Sequence, residues 1–442
     1  MPRVLSCSVL RKWAIWGTPR RKFPLGLRKT VVTGVGCITP LGIGAERLWA
    51  ALLAGESGID RVSSFDPVGC GSQVAGEVRD FDPEQFLARR TVQAVARFVH
   101  FGVAAARLAW DDAGTPSAAI DPDRIGVCLG SAVGAIDRTV SDGITFAEKG
   151  LNRVHPMFPL QYPGTLSSEV AIALGLHGPA YAVSTACTAS ADAIGLAMGM
   201  VASGVVDAVV TGGSEAAIFP LLYASFDRIG ALSKLNDPPA RASRPFSRDR
   251  NGFVISEGAG VVVLEAEEVA KARGARVYAE VAGFGATCDA YHHMAPEPEG
   301  EQGARAIVQA LRHAGLTSAD IDYINAHGTS TQKNDATETL IFKKVFGERA
   351  YRIPISSSKS MLGHLIGASA AVEVIICALA LRDGVVPPTI NLDEPDPTCD
   401  LDYVTEGPRR VDARAVLSTS FGFGSRNAAL VLKAMPSEEG SS

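Results

Sequence analysis

Apolar and polar positions alternate in two rhythms along this chain. Short apolar runs at 31–35, 124–129, 180–184, 208–211, 260–264, 277–282, 323–326, 353–357, 416–419 and 428–432 read as strands. Between them, 46–54, 92–113, 190–203, 303–314, 335–346 and 368–381 carry helical spacing. Strands alternating with helices predict an α/β fold built on parallel or mixed sheets.

The pattern also repeats. Ala113-Gly114, Ile120-Asp121 and the run from Ile125 to Leu129 return as Ala314-Gly315, Ile321-Asp322 and the run into Asn325-Ala326, both pairs at one offset. Val31-Val-Thr-Gly34 has a counterpart in Val277-Tyr-Ala-Glu-Val-Ala-Gly283. The strand and turn before Cys187 are mirrored by 353–358 and the helix beyond His364. A duplicated α/β unit explains these echoes, with halves at 29–275 and 276–435. The site is expected where the halves face each other, since ligand pockets favour such interfaces.

Composition narrows the class. The 442 residues, 47% hydrophobic and 20% charged, describe a globular protein rather than a disordered one. No apolar stretch reaches the roughly 20 residues that span a bilayer. A formal net charge of −5 leaves no basic footprint for nucleic acid. Eight cysteines without a CxxC pair argue against a zinc site or a disulfide scaffold and suit a reducing compartment. Residues 1–28 differ from the rest: they are rich in Arg and Lys, and no acidic residue precedes Glu46. Such a leader has the character of an organelle transit peptide or a disordered basic tail, and carries no weight for the fold. Residues 436–442 read as a disordered tail.

The candidate chemistry centres on Cys187, in Ala182-Val-Ser-Thr-Ala-Cys-Thr-Ala-Ser190. It occupies a small-residue turn between a strand and a helix, where unpaired N–H groups and the helix dipole favour the nucleophilic thiolate. The plainer alternative is an inert buried cysteine. Asn325-Ala-His-Gly-Thr-Ser-Thr331 projects His327 from a strand end, with Asp335 and Glu338 on the next helix. Ser356-Ser-Ser-Lys-Ser-Met-Leu-Gly-His-Leu-Ile-Gly367 repeats the design with Lys359 and His364. Ser420-Phe-Gly-Phe-Gly-Ser-Arg-Asn427 can present backbone N–H donors to an oxyanion and move as a gate. Each piece also has a structural reading: a strand-end histidine, core phenylalanines, a solvated lysine. Neither His327 nor His364 lies in an HxxxH or HxH spacing, so no metal is expected. His292-His293, in the polar, Pro-containing stretch 289–300, reads as loop structure.

In this order and at these spacings, Thr-Ala-Cys-Thr, Asn-Ala-His-Gly-Thr-Ser-Thr, Lys-Ser-x-x-Gly-His-x-x-Gly-Ala and Ser-Phe-Gly-Phe-Gly resemble the elongating β-ketoacyl-[acyl-carrier-protein] synthases of type II fatty acid synthesis, within the thiolase-like superfamily. The resemblance covers roughly residues 30–434 and, with the leader, is strongest to the mitochondrial member. It implies two similar halves layered α-β-α-β-α, a homodimer, and no cofactor, the phosphopantetheine arm belonging to the partner acyl carrier protein. It implies that Cys187 holds the acyl chain, that the N–H groups of Cys187 and Phe423 form an oxyanion hole, and that His327 and His364 polarise the malonyl thioester during decarboxylation. Lys359 then tunes His364, with Asp335 and Glu373 as supporting partners. The implied address is the mitochondrion, with plastid or cytoplasm as alternatives.

Departures from the family pattern are specific. Gly422-Phe-Gly-Ser-Arg-Asn427 stands where the family has Gly-Phe-Gly-Gly-Thr-Asn, so Ser425 and Arg426 stiffen the gate or alter its hinge. Gln332 replaces a proline, and Gly164-Thr-Leu-Ser-Ser168 replaces the usual segment beside the acyl pocket, leaving chain-length preference open. The basic cluster for a carrier protein is reduced to Arg89 and Arg90, with Arg97 or Arg153 as further contributors. The competing readings are a discrete polyketide-type ketosynthase, a non-catalytic acyl-binding partner subunit, and a Cys187–His327 hydrolase.

Overall fold

The computed structural model describes residues 27–435; the leader and tail expectations therefore lie almost wholly outside the described residues. Ten strands form the path of one mixed sheet: β1 Thr30–Thr39, β2 Ile125–Gly130, β3 Ala180–Val183, β4 Ala208–Glu215, β5 Gly258–Ala266, β6 Ala279–Cys288, β7 Tyr323–Asn325, β8 Ile355–Ser356, β9 Ala415–Gly422 and β10 Arg426–Lys433. Their order is β8-β7-β9-β10-β6-β1-β5-β4-β2-β3, with a short strand Gly42–Ile43 added beside β1.

Followed inward from either edge, the two halves have one topology. β2 runs parallel to β3 and β4, as β7 does to β8 and β9. The remaining neighbours in each half are antiparallel. Within the sheet the halves pair through β1 and β6, at Val31↔Glu280 and Val32↔Ala279. The duplication expected from the echoes is thus present strand for strand.

Glycines show why the echo falls where it does. Helix α1 (Arg97–Asp112) lies so close to β1 that a Cβ on Gly34 or Gly36 would overlap the carbonyl oxygens of Ala109 and Ala105. In the other half, Cβ atoms on Gly283 and Gly285 of β6 would overlap the carbonyls of Ala310 and Ala306 in α3 (Glu301–His313). Only a residue without a side chain permits that approach.

Two further helices lie between the halves. α2 (Ala189–Ala202) touches β2 and β4 of one half and β6 and β10 of the other, while α5 (Ser369–Asp383) touches β4 and β5 and also β9 and β10. Residues 369–380 are buried on every side, as expected of a helix apolar all round. With α1 outside one half of the sheet and α3 and α4 (Gln332–Phe346) outside the other half, the layers run α-β-α-β-α.

The structure departs from expectation in places. The helix expected over 92–113 is two, Arg89–Ala94 and α1, because Val95 and Ala96 are extended. Both are buried in the core that α1 builds, so the apolar pattern runs through the break. Helices Ile136–Lys149, Gly164–Leu174 and Pro220–Arg228 were not anticipated. The first buries only Asp142 and turns Ile144 and Phe146 outward, so no core stripe marks it.

Candidate active site

β3 delivers the chain to a single turn, Ala186–Thr188, that leads into α2. Ala186 adopts φ 56, a conformation uncommon for a residue with a Cβ, and this sharp bend places Cys187 at the head of the helix. Thr185 and Thr188 anchor the bend by donating to Asp192 at 2.5 and 2.9 Å. Cys187 is 8% exposed.

Burial changes the expected state of that thiol. Desolvation pushes Cys187 up to about 11, against the N–H of Phe423 and the charge of Lys359, which act to lower it. Burial thus favours the thiol over the poised thiolate expected from the helix terminus, desolvation outweighing the helix-terminal N–H groups.

β8 and a short helical turn, Lys359–Leu362, carry the chain to His364. Its Nε2 lies 3.2 Å from Cys187 Sγ. Its Nδ1 lies 2.9 Å from Ser369 Oγ and 3.2 Å from the Ile366 nitrogen. A backbone N–H can only donate, so Nδ1 accepts and the proton of the neutral ring sits on Nε2, facing the sulfur.

His327 leaves the end of β7 in a loop whose carboxylate anchor is Glu338 of α4. Glu338 accepts from the N–H groups of His327 and Gly328 at 2.8 Å each, and from Thr419 Oγ1 at 2.7 Å. The two imidazoles meet edge to face, 5.3 Å between centroids at 87°. Burial first, and then the charge of Lys359, push both well below the ordinary histidine value. Both causes favour the neutral form of each ring.

Lys359 is ion-paired with Glu373 of α5 inside the molecule. Asp335 accepts from the Phe246 N–H at 2.8 Å and stands 3.4 Å from Arg250 Nε. The carboxylate bonded to the His327 loop is Glu338. Phe423 sits in the turn between β9 and β10, with its N–H on the Cys187 sulfur and its ring 6.4 Å from Phe226.

Cys187, His327, His364 and Phe423 line one cavity of about 680 Å³, open to solvent. His292 lies in a loop, as read from the sequence, yet it also forms part of the cavity wall. Glu215 at the end of β4 was not singled out for a role. Burial raises it to about 7, and it accepts from Ser131 Oγ, Ala132 N, Val133 N and Gly367 N, joining loops from both halves. Arg97, expected to greet a carrier protein, is engaged with Glu257 at 2.8 Å and with the Val78 carbonyl at 2.7 Å. Among the described residues, no three His, Cys, Asp or Glu side chains are grouped to hold a metal, and no helix is long and apolar enough to cross a membrane.

Two like halves meeting over a cysteine and paired histidines define the thiolase-like architecture. Residues 28–270 match the N-terminal domain of beta-ketoacyl synthase and residues 278–393 its C-terminal domain, and the chain belongs to that family. A 3-oxoacyl-[acyl-carrier-protein] synthase 2 of Synechocystis is 44% identical over 92% of this chain and 98% of its own length. A putative polyketide beta-ketoacyl synthase 1 of Streptomyces halstedii is 46% identical over 92% of this chain and 98% of its own. Among solved structures, the ishigamide ketosynthase/chain length factor aligns with TM-score 0.87 at 37% identity, over 93% of this chain and all of that one. A type II PKS ketosynthase in complex with its acyl-carrier protein aligns with TM-score 0.86 at 33% identity, over 92% of this chain and all of that one.

Proposed function

We propose that this chain elongates acyl groups by decarboxylative Claisen condensation with malonyl-[acyl-carrier-protein], as an acyltransferase of fatty acid synthesis. The observation that carries the reading is the geometry at His364, whose Nδ1 receives the Ile366 N–H while Nε2 faces Cys187 Sγ at 3.2 Å. An imidazole that accepts the Ile366 N–H at Nδ1 and aims Nε2–H at the sulfur is a donor and not a base. A cysteine hydrolase needs the reverse.

Cys187 attacks the acyl thioester. A C–S bond forms, the arm's thiol leaves carrying the proton, and the N–H groups of Cys187 and Phe423 receive the oxyanion. Malonyl carrier protein then binds, and His327 and His364 donate to its thioester oxygen. The bond to the carboxylate breaks, CO₂ departs, and its electron pair becomes an enolate held by two neutral donors. Removing one such donor costs about 10²–10³ in rate. The enolate carbon attacks the acyl carbon, Cys187 leaves as thiolate and is reprotonated, and a 3-oxoacyl chain longer by the two-carbon malonyl unit remains on the carrier. No metal or organic cofactor enters these steps.

A second reading, a polyketide-type ketosynthase, is favoured by the Streptomyces relative. Intact Cys187, His327, His364 and Lys359 favour a catalytic subunit over an inactive partner. For assembly, a homodimer through β3 is supported by its position at the sheet edge and by Tyr181, Ile172 and Leu196, exposed by 55%, 72% and 54%. An edge strand that meets its own copy across a two-fold axis satisfies its free backbone groups. Sedimentation of the purified chain as a dimer supports this, and a monomer that dimerises only with a second polypeptide overturns it. The mitochondrial address rests on the basic leader alone and finds no counterpart in the bacterial relatives reported above; a native N-terminus near residue 29 supports a cleaved leader, and one at Met1 does not.

Intact-protein mass spectrometry tests the function. Acyl carrier protein loaded with octanoate leaves an adduct on Cys187, and malonyl carrier protein discharges it as a chain longer by the malonyl unit. Discharge through several unreduced rounds favours the polyketide reading, and an adduct that never turns over removes both.

A further inference from the structure

The turn between β9 and β10 holds two consecutive residues in the left-handed region, Gly424 at φ 82 and Ser425 at φ 64. Glycine adopts that conformation freely, whereas serine carries a Cβ that opposes it. Backbone of this kind persists where the surroundings over-determine it.

The surroundings here are the loop after β6. Ser425 is 8% exposed, and its Oγ donates to the His292 carbonyl at 2.8 Å. The same oxygen faces the N–H groups of His292 and Tyr291 at 3.3 and 3.4 Å, so its one proton and both lone pairs are used. The main chain adds Asp289 N to Ser425 O and Gly424 N to His293 O, each 2.8 Å, and Asn427 Nδ2 reaches Asp289 Oδ1 at 2.6 Å. Loop and turn are therefore one body along the cavity wall. That body presses on the nucleophile: a Cβ on Gly422 would stand 3.2 Å from the Cys187 nitrogen, and the Phe423 N–H faces the sulfur.

We propose that Ser425 is a positioning residue whose hydroxyl ties this turn to the 289–296 loop and so holds the Phe423 N–H where the acyl thioester develops its oxyanion. Ser425 touches neither substrate nor sulfur and acts through Phe423. It serves the transfer step onto Cys187 rather than decarboxylation, whose donors stand on other loops. The inference rests on the acyl-transfer reading, and the wild-type protein in the same assay tests that reading separately.

Ser425→Ala keeps the Cβ and loses the hydroxyl, whereas Ser425→Gly removes both. The single-turnover rate of Cys187 acylation is measured with octanoyl-N-acetylcysteamine and with octanoyl carrier protein. Malonyl carrier protein decarboxylation is measured in a Cys187→Gln background. Both Ser425 variants are expected to slow acylation roughly ten-fold or more, because misplacing a group by about 1 Å costs on that order. Decarboxylation is expected to stay within about two-fold of its parent, beneath the loss assigned to one missing donor. Ser425→Thr, which retains the hydroxyl, is expected to acylate faster than Ser425→Ala. Acylation at the wild-type rate overturns the proposal. So does an equal fall in both steps with a lowered unfolding temperature, which marks a merely structural role. Failure of the wild-type protein to acylate removes the functional reading beneath it.

Discussion

Lys359 and Glu373 form an ion pair inside the molecule, their side chains 3% and 2% exposed. Glu373 lies on the helix between the two halves, and the second carboxylate oxygen has no protein partner. Lys359→Met leaves a buried, uncompensated carboxyl and is expected to destabilise the fold by about 3–5 kcal/mol. Urea unfolding of the variant checks this, and a loss below about 1 kcal/mol, the scale of an exposed pair, contradicts it.

The same lysine acts on the imidazoles. Burial and then the Lys359 charge hold His327 and His364 below their ordinary value, so the donor forms persist as pH falls through the usual histidine range near about 6.5. Malonyl decarboxylation by a Cys187→Gln variant is expected to be level from about pH 8 down to about pH 6, losing rate only below. Lys359→Met removes a cation, makes the rings easier to protonate and moves that acid limb to higher pH. A wild-type limb centred on the ordinary value would falsify the neutral-donor account.

Cys187 has its own pH signature. A thiol raised to about 11 by burial is scarcely ionised at neutrality. Alkylation of Cys187 by iodoacetamide, followed by peptide mapping, is expected to rise about ten-fold per pH unit from about pH 6 to pH 9. A plateau near neutrality would mean that the helix terminus and Phe423 N–H overcome desolvation.

Glu338 holds the His327 loop by two backbone N–H groups and Thr419. Glu338→Leu removes all three bonds and is expected to reduce decarboxylation by about 10²-fold while acylation of Cys187 changes far less. Equal loss in both steps would show that Glu338 supports the whole site rather than His327.

The glycine approach in β1 predicts a stability effect remote from the chemistry. Gly36→Ala sets a Cβ against the Ala105 carbonyl of α1 and is expected to cost about 1–3 kcal/mol in denaturant unfolding. Tolerance of alanine there would mean that strand and helix separate easily.

Much of this site was legible because strand-end turns announce themselves. An apolar run that stops at Thr185-Ala-Cys187, at Asn325-Ala-His327 or at Ser420-Phe-Gly422 displays the next side chain or N–H, and the repeated Ala-Gly…Ile-Asp segments exposed the duplication. Glu338 and Glu215 were harder to read because both satisfy backbone N–H groups, and an N–H has no residue type. Glu215 joins 131–133 to Gly367, a partnership with no spacing along the chain. The thiol's protonation was misread for a related reason. The dipole of α2 follows from local sequence, while burial comes from residues remote along the chain, Phe253 and Ile366 among the cluster that packs with Cys187.

The most direct test of the account is CO₂ release from malonyl carrier protein by Cys187→Gln and by the Cys187→Gln/His364→Ala pair, with acylation of Cys187 measured in the single His364→Ala variant. Loss of an Nε2–H donor predicts decarboxylation lowered by about 10²–10³, with acylation of Cys187 retained within about ten-fold. Decarboxylation at the parental rate without His364, or loss of acylation in its place, would show that this imidazole serves the thiol as a base and contradict the assignment.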